Sequence, residues 1–147
     1  MKPFFFRLQS LLNYRVYMQK KAGQELSKAR NAHRQTQRHI QALIDKEEKT
    51  AKKCRKEGIN GMPVPLYQVY RSFLDKLESD LQQANCELRK ADEDVRRKEA
   101  FLTMESVRKK ILERLKDLRF QDYAQKSRRE EQKVMDELVV IRRGRGL

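Results

Sequence analysis

Tryptophan is absent from the chain, and glycine and proline are scarce, with 5 and 3 copies in 147 residues. With so few breakers, a chain rich in Ala, Glu, Lys, Leu and Arg at helical periodicity reads as long helices or a coiled coil. Cys54 and Cys86 are the only cysteines. Two lone thiols on polar helices make no disulfide framework, and a reducing cytoplasm is their natural setting. No apolar run approaches the ~20 residues that span a bilayer. The opening "MKPFFFRLQSLL" is apolar, but Arg7 interrupts it and no small-residue cleavage site follows, so no signal peptide is expected. The two histidines, His33 and His39, have no Cys, His or acidic neighbour at ligand spacing. Zinc needs three or four converging ligands, so no metal and no other cofactor is expected. Phosphate-binding glycine loops and nucleophile elbows are missing as well. Carboxylates alternate with Lys and Arg, as in "KADEDVRRKE" and "SRREEQK", in the manner of solvated helix faces. The expectation is a protein that is not an enzyme and has no small-molecule substrate.

Charge is what the chain has in abundance. Charged residues make up 38% of it, against about 25% in ordinary domains. The net charge is +14. Residues 1–60 hold 15 Lys/Arg and 5 Asp/Glu; residues 61–147 hold 20 and 16. Such a surplus favours polyanions, acidic protein surfaces or anionic lipid heads, without choosing among them. High charge with low hydropathy also fits disorder, but apolar residues recur at helical spacing and low-complexity tracts are absent.

The recurrence has a register. Steps of four and three link Ala22, Leu26, Ala29, His33, Thr36, Ile40, Leu43, Glu47, Thr50 and Cys54. A second row links Tyr70, Leu74, Leu77, Leu81, Ala84, Leu88, Ala91, Val95, Lys98 and Leu102. Both are heptad seams of a left-handed coiled coil, the second more apolar than the first. Beyond Leu102 the apolar residues move back by one, to Phe101, Met104, Ile111, Leu115 and Leu118, which predicts a local slip of the seam. Between the rows lies "GINGMPVP", residues 58–65. Gly58 is the expected left-handed helix cap, and Pro63 and Pro65 are expected to precede the next helix. The expected fold is all-α: two long helices in an antiparallel coiled-coil hairpin, the second longer. Helix one should run over about 8–57, helix two over about 66–141, and the tail 142–147 should be disordered. At 1.5 Å per residue the helices would measure roughly 70 and 115 Å. Folded back, residue i faces roughly residue 124 minus i, so Leu8 lies beside Lys116 and the rest of helix two overhangs.

Tyr67, Tyr70 and Phe73 cluster at the head of helix two, either as a cap on the hairpin or as a docking patch. Tyr70, Leu74, Leu77 and Leu81 share one face, as a helix-in-groove ligand would. Nucleic-acid binding is not favoured. Lys and Arg are dispersed rather than joined as one block to a leucine zipper, and no aromatic stacking platform is present. Self-association as a generic structural coiled coil is the other alternative.

Four features together carry a resemblance. "FFFRLQSLLNYR" opens the chain, a long charged helix leads to a glycine-containing break, "YQVYRSFLDKLESDL" follows it, and "EQKVMDEL" lies near the end. In this order and spacing the chain resembles the FliJ family, coiled-coil components of the bacterial flagellar type III export apparatus. The resemblance implies a stalk similar to that of rotary ATP synthases, working at the cytoplasmic face of the cell membrane at the flagellar base. Its implied partners are the hexameric export ATPase, the cytoplasmic domain of the export gate membrane protein, and export chaperones, with the membrane itself met only indirectly. Gate contact would fall on Tyr70, Leu74, Leu77 and Leu81. ATPase contact would fall on Phe4, Phe6, Leu8, Leu11, Leu12 and Arg15, and on Gln132, Lys133, Met135, Asp136 and Leu138. The sequence departs from the family pattern at Val69 and in the tail "VVIRRGRGL", so no contact is carried beyond Leu138.

Overall fold

The computed structural model describes residues 2–146. It contains two helices, α1 (Gln9–Ile59) and α2 (Val64–Arg145), and no strand among the described residues. The fold is all-α, with two long helices packed against each other and the second longer. The chain divides into two compact units, Met1–Lys20 with Thr103–Leu147, and Lys21–Leu102.

In the second unit the two seams meet. Leu43, Leu77 and Ala84 are buried together, with Ile40, Phe73, Leu74 and Leu81 packed around them. Ala22, Leu26 and Ala29 are buried too, alanines being small enough to let two backbones approach. The polar seam position His33 finds a cross-helix partner, its Nε2 bonding Asp92 Oδ1, and outside the seam Arg30 Nη2 reaches Glu99 Oε1 at 3.2 Å. The numbers of His33 and Asp92 add to 125, matching the antiparallel register expected from the seams.

The reversal differs from expectation in its chemistry. Gly58 is helical, and the residue with positive φ is Gly61, at 89°. The Gly61 N–H donates to the Gly58 carbonyl at 3.3 Å. The left-handed turn therefore falls two residues beyond the end of α1. Only Gly61 needs the freedom of glycine, because L side chains are strained there. Pro63 precedes α2 and its carbonyl accepts from Tyr67 N–H at 3.1 Å. Pro65 lies inside the first turn of α2 rather than before it. First-turn N–H groups have no intrahelical acceptor, so a residue without one costs nothing there.

In the first unit, the arm before α1 is the unexpected element. Lys2–Phe6 has no regular structure, yet it runs back along α2. The Tyr123 hydroxyl donates to the Lys2 carbonyl at 2.6 Å. Phe4 meets Phe120 edge-on, centroids 5.3 Å apart, and Tyr123 at 5.5 Å. Pairing therefore reaches Tyr123, several residues past Lys116, because burying Phe6 and covering part of Phe4 outweighs leaving the arm in water. Phe6, Leu12 and Leu112 form the buried cluster, flanked by Phe4, Leu8 and Leu115.

The anticipated slip of the seam does not occur. α2 keeps its steps of four and three past Leu102, so Glu105 and Leu112 are buried and Lys109 and Lys116 half-buried. Of the row expected to face inward, Leu115 packs on the cluster, while Phe101, Met104, Ile111 and Leu118 are exposed. Moving the inner row back by one residue would rotate α2 by about 100°. That rotation would pull Leu112 out of the cluster that Phe6 and Leu12 complete. α2 continues helically to Arg145, into the segment expected to be disordered, and the Gly146 N–H donates to the Arg142 carbonyl at 3.0 Å. Residue 147 lies outside the described residues. Arg142, Arg143 and Arg145 in the last turn suit the negative end of the helix dipole.

Candidate functional site

The residues implied in gate contact lie on the α2 seam of the second unit. Leu77 is 3% exposed and belongs to the buried cluster. Leu74 and Leu81 are half-buried against it, and Tyr70 is half-buried nearer the turn. The Lys46 ammonium lies 5.4 Å from the Phe73 ring centroid beside them. The cap reading and the docking reading of this row are therefore not exclusive. Leu77 holds the hairpin, while Tyr70, Leu74 and Leu81 keep part of their surface open.

Tyr70 also clasps the two helices near the turn, its hydroxyl donating to Glu57 Oε2 at 2.8 Å. That hydrogen bond to a carboxylate raises the Tyr70 hydroxyl above its ordinary pKa of 10.0, helped by desolvation and by the nearby Glu57 and Cys54 charges. A raised folded-state value stabilises fully below pH 10 and is lost as pH rises through that value. Alkaline unfolding of the wild type, followed by helical circular dichroism, should therefore fall more steeply above pH 10 than that of Tyr70→Phe. Parallel curves for the two proteins would show that the clasp contributes nothing.

The residues implied in ATPase contact lie in the first unit and divide by exposure. Phe6 and Leu12 are buried in its cluster, with Phe4 and Leu8 half-buried against them. Leu11 is exposed, and Arg15 turns toward Glu105, Nη1 to Oε2 at 3.5 Å. Gln132, Lys133, Met135, Asp136 and Leu138 are all exposed, and Gln132 Nε2 donates to Asp136 Oδ1 at 3.0 Å along the helix. No position from 128 to 146 is buried. Val134, Leu138 and Ile141, at steps of four and three, leave an apolar stripe uncovered. An open cleft of about 360 Å³ lies between the arm and α2, lined by Phe5, Phe6, Arg7, Leu8, Leu115 and Arg119.

Reading the sequence missed several exposed apolar side chains here: Tyr14 and Tyr17 on α1, and Met104, Val107 and Ile111 on α2. Met104 and Ile111 read as seam residues in the sequence because they are apolar. Strict extension of the heptad from Leu102 would have placed them outside.

Among the described residues no group of three or more His, Cys, Asp or Glu could hold a metal ion. Cys54 and Cys86 are free, and no helix is long and apolar enough to cross a membrane. No curated protein and no solved structure matches the chain. The family model described as "Flagellar FliJ protein" matches residues 4–146. Together with the paired helices, this match over nearly the whole length shows that the chain belongs to the FliJ family and is a coiled-coil protein of flagellar export.

Proposed function

We propose that this protein is the non-enzymatic stalk and coupling protein of the export apparatus. In this reading it binds the hexameric export ATPase through its first unit and the export gate through the Tyr70–Leu81 row of its second. It aids chaperone cycling and works in the cytoplasm, peripheral to the membrane at the flagellar base. The observation that carries the reading is the uncovered stretch of α2 beyond Tyr123, with Val134, Met135, Leu138 and Ile141 exposed and nothing among the described residues packed against them. A lone helix with an apolar stripe is stable mainly when it packs on something. Leu11 and this stripe are the direct contacts, while Phe6 and Leu12 hold the arm that frames them.

The net charge of +14 favours an acidic receptor and disfavours a second copy of the same chain. The test is stimulation of the purified export ATPase. Wild type should stimulate it, and Met135→Asp with Leu138→Asp should need roughly tenfold or more protein for half-maximal effect, as expected when buried anchors are lost. Wild-type protein that leaves the ATPase rate unchanged, or a double variant as potent as wild type, would refute the assignment. Sedimentation as a dimer would favour the self-associating alternative.

A further inference from the structure

The reversal of the hairpin exposes an apolar point. Ile59 is 87% exposed, Val64 68% and Tyr67 53%, with Leu66 and Val69 also exposed. A basic collar stands directly behind it on α1. Lys49, Lys52, Lys53 and Lys56 recur at i, i+3, i+4 and i+7, so they share one helix face, and Arg55 flanks them. All five are exposed, and none makes an ion pair among the described residues. Glu57 is the only acidic residue between positions 49 and 72. Its Oε2 is engaged by the Tyr70 hydroxyl.

We propose that this tip docks on an anionic bilayer surface, with Ile59, Val64 and Tyr67 entering the headgroup boundary and the lysine face meeting lipid phosphates. The geometry suits that occupant. Lys52, Lys53 and Lys56 precede Ile59 by three to seven residues, or about 5–10 Å along the axis. With Ile59 at the acyl boundary, these ammonium groups reach headgroup height and lie within about one Debye length of the charged plane. Apolar insertion and a polybasic collar are the two signals that together make peripheral binding stable. A cleft of about 420 Å³ beside Arg55, Met62, Val64 and Tyr67 adds a place where a headgroup meets a guanidinium next to apolar surface. A chain reversal presents a convex point, which a deformable bilayer accepts and a protein receptor must match with a cavity. The proposal does not depend on the ATPase contacts of the first unit.

Charge alone will draw a chain of net +14 to anionic lipid, so the test must read insertion at the tip. The absence of tryptophan allows a single reporter. Ile59→Trp and, as control in the other unit, Ile111→Trp are mixed with vesicles of phosphatidylcholine alone or with about one third phosphatidylglycerol. On anionic vesicles the reporter at position 59 should shift to the blue and be quenched by brominated lipid, and the one at 111 should not. Ile59→Asp with Val64→Asp should weaken cosedimentation at least tenfold while helicity stays unchanged, since both side chains are exposed. The proposal falls if the reporter at 59 stays in water on anionic vesicles, or if the aspartate variant cosediments like wild type. It also falls if the same aspartates abolish binding to the export gate while the reporter stays in water, which would make the tip a protein contact. ATPase stimulation by the variants at positions 59 and 64 should be unchanged, so failure here leaves the stalk reading standing.

Discussion

Replacing Glu105 by leucine should raise the stability of the protein by about 1–4 kcal/mol, whereas replacing Arg15 by methionine should lower it. Glu105 is 1% exposed, the one buried charged residue among those described. Its Oε1 accepts from Arg108 Nη1 at 3.1 Å, but Oε2 has no hydrogen-bond partner, with Arg15 Nη1 standing off at 3.5 Å. A carboxylate taken from water into a seam loses its hydration, and one good contact with one long one does not restore it. Leucine has similar volume and belongs at a heptad core position. Removing Arg15 leaves the carboxylate with Arg108 alone. Because Arg15 is itself about a quarter exposed, its loss should cost about 1–3 kcal/mol rather than the larger figure of a sealed pair.

Urea unfolding of both single variants and the double variant, followed by helical circular dichroism, separates the terms. In the double variant most of the Arg15 penalty should vanish, because there is no charge left to compensate. A fall in stability on Glu105→Leu would mean that the carboxylate is better solvated than its burial implies. Stability is not all that Glu105 contributes. An inward charge that can be met only by Arg15 and Arg108 penalises other registers, and a uniformly apolar row would not. Glu105→Leu should therefore be more stable and less uniquely paired. Disulfide capture of a cysteine pair engineered across the helices would report this as a loss of selectivity for the native register.

Leu77→Ala should cost about 2–5 kcal/mol, the largest loss expected from any single side chain in the second unit. Leu77 is 3% exposed and lies against Leu43, with Ala84 beside it and Ile40, Phe73, Leu74 and Leu81 around them. In the second unit the clustered large apolar side chains lie over this short stretch. On the α1 side it is bounded by Thr36, Glu47 and Thr50, whose polar groups cannot move in to fill a vacated space. Thr36 and Thr50 already donate their hydroxyls back to the Ala32 and Lys46 carbonyls, at 3.0 and 2.7 Å. Val69→Ala, at an exposed site, should change stability by less than about 0.5 kcal/mol. Equal effects of the two substitutions would contradict the packing described. The result also bears on the gate. Under the proposed gate contact, a Leu77 variant changes packing and contact together, so Tyr70, Leu74 and Leu81 are the positions that separate contact from folding. Each needs its helicity measured beside its affinity.

Some of this was open to reading in the sequence, for a definite reason. Heptad spacing is a property of one helix, so Ala22 to Cys54 and Tyr70 to Leu102 could be aligned without knowing what they face. The scarcity of glycine and proline confined the reversal to "GINGMPVP", and the antiparallel register followed from its position. The family resemblance rested on the same kind of local pattern, and the match over residues 4–146 agrees with it.

What was not legible depends on neighbours distant in the chain. Gly58 and Gly61 are both credible caps locally; the structure places the positive φ at Gly61. Met104, Ile111 and Leu118 look like core because they are apolar. They are outside because Phe6, Leu12 and Arg15 have already chosen Leu112 and Glu105. The Phe4–Phe120–Tyr123 contact joins residues more than a hundred positions apart and leaves no periodic trace. Sequence alone thus determined the class of the protein: two charged helices, one reversal, and apolar rows with the helical period. Tertiary structure alone decided which rows face inward and which remain as binding surface, because that choice is made by the summed packing of both helices and not by the preference of either.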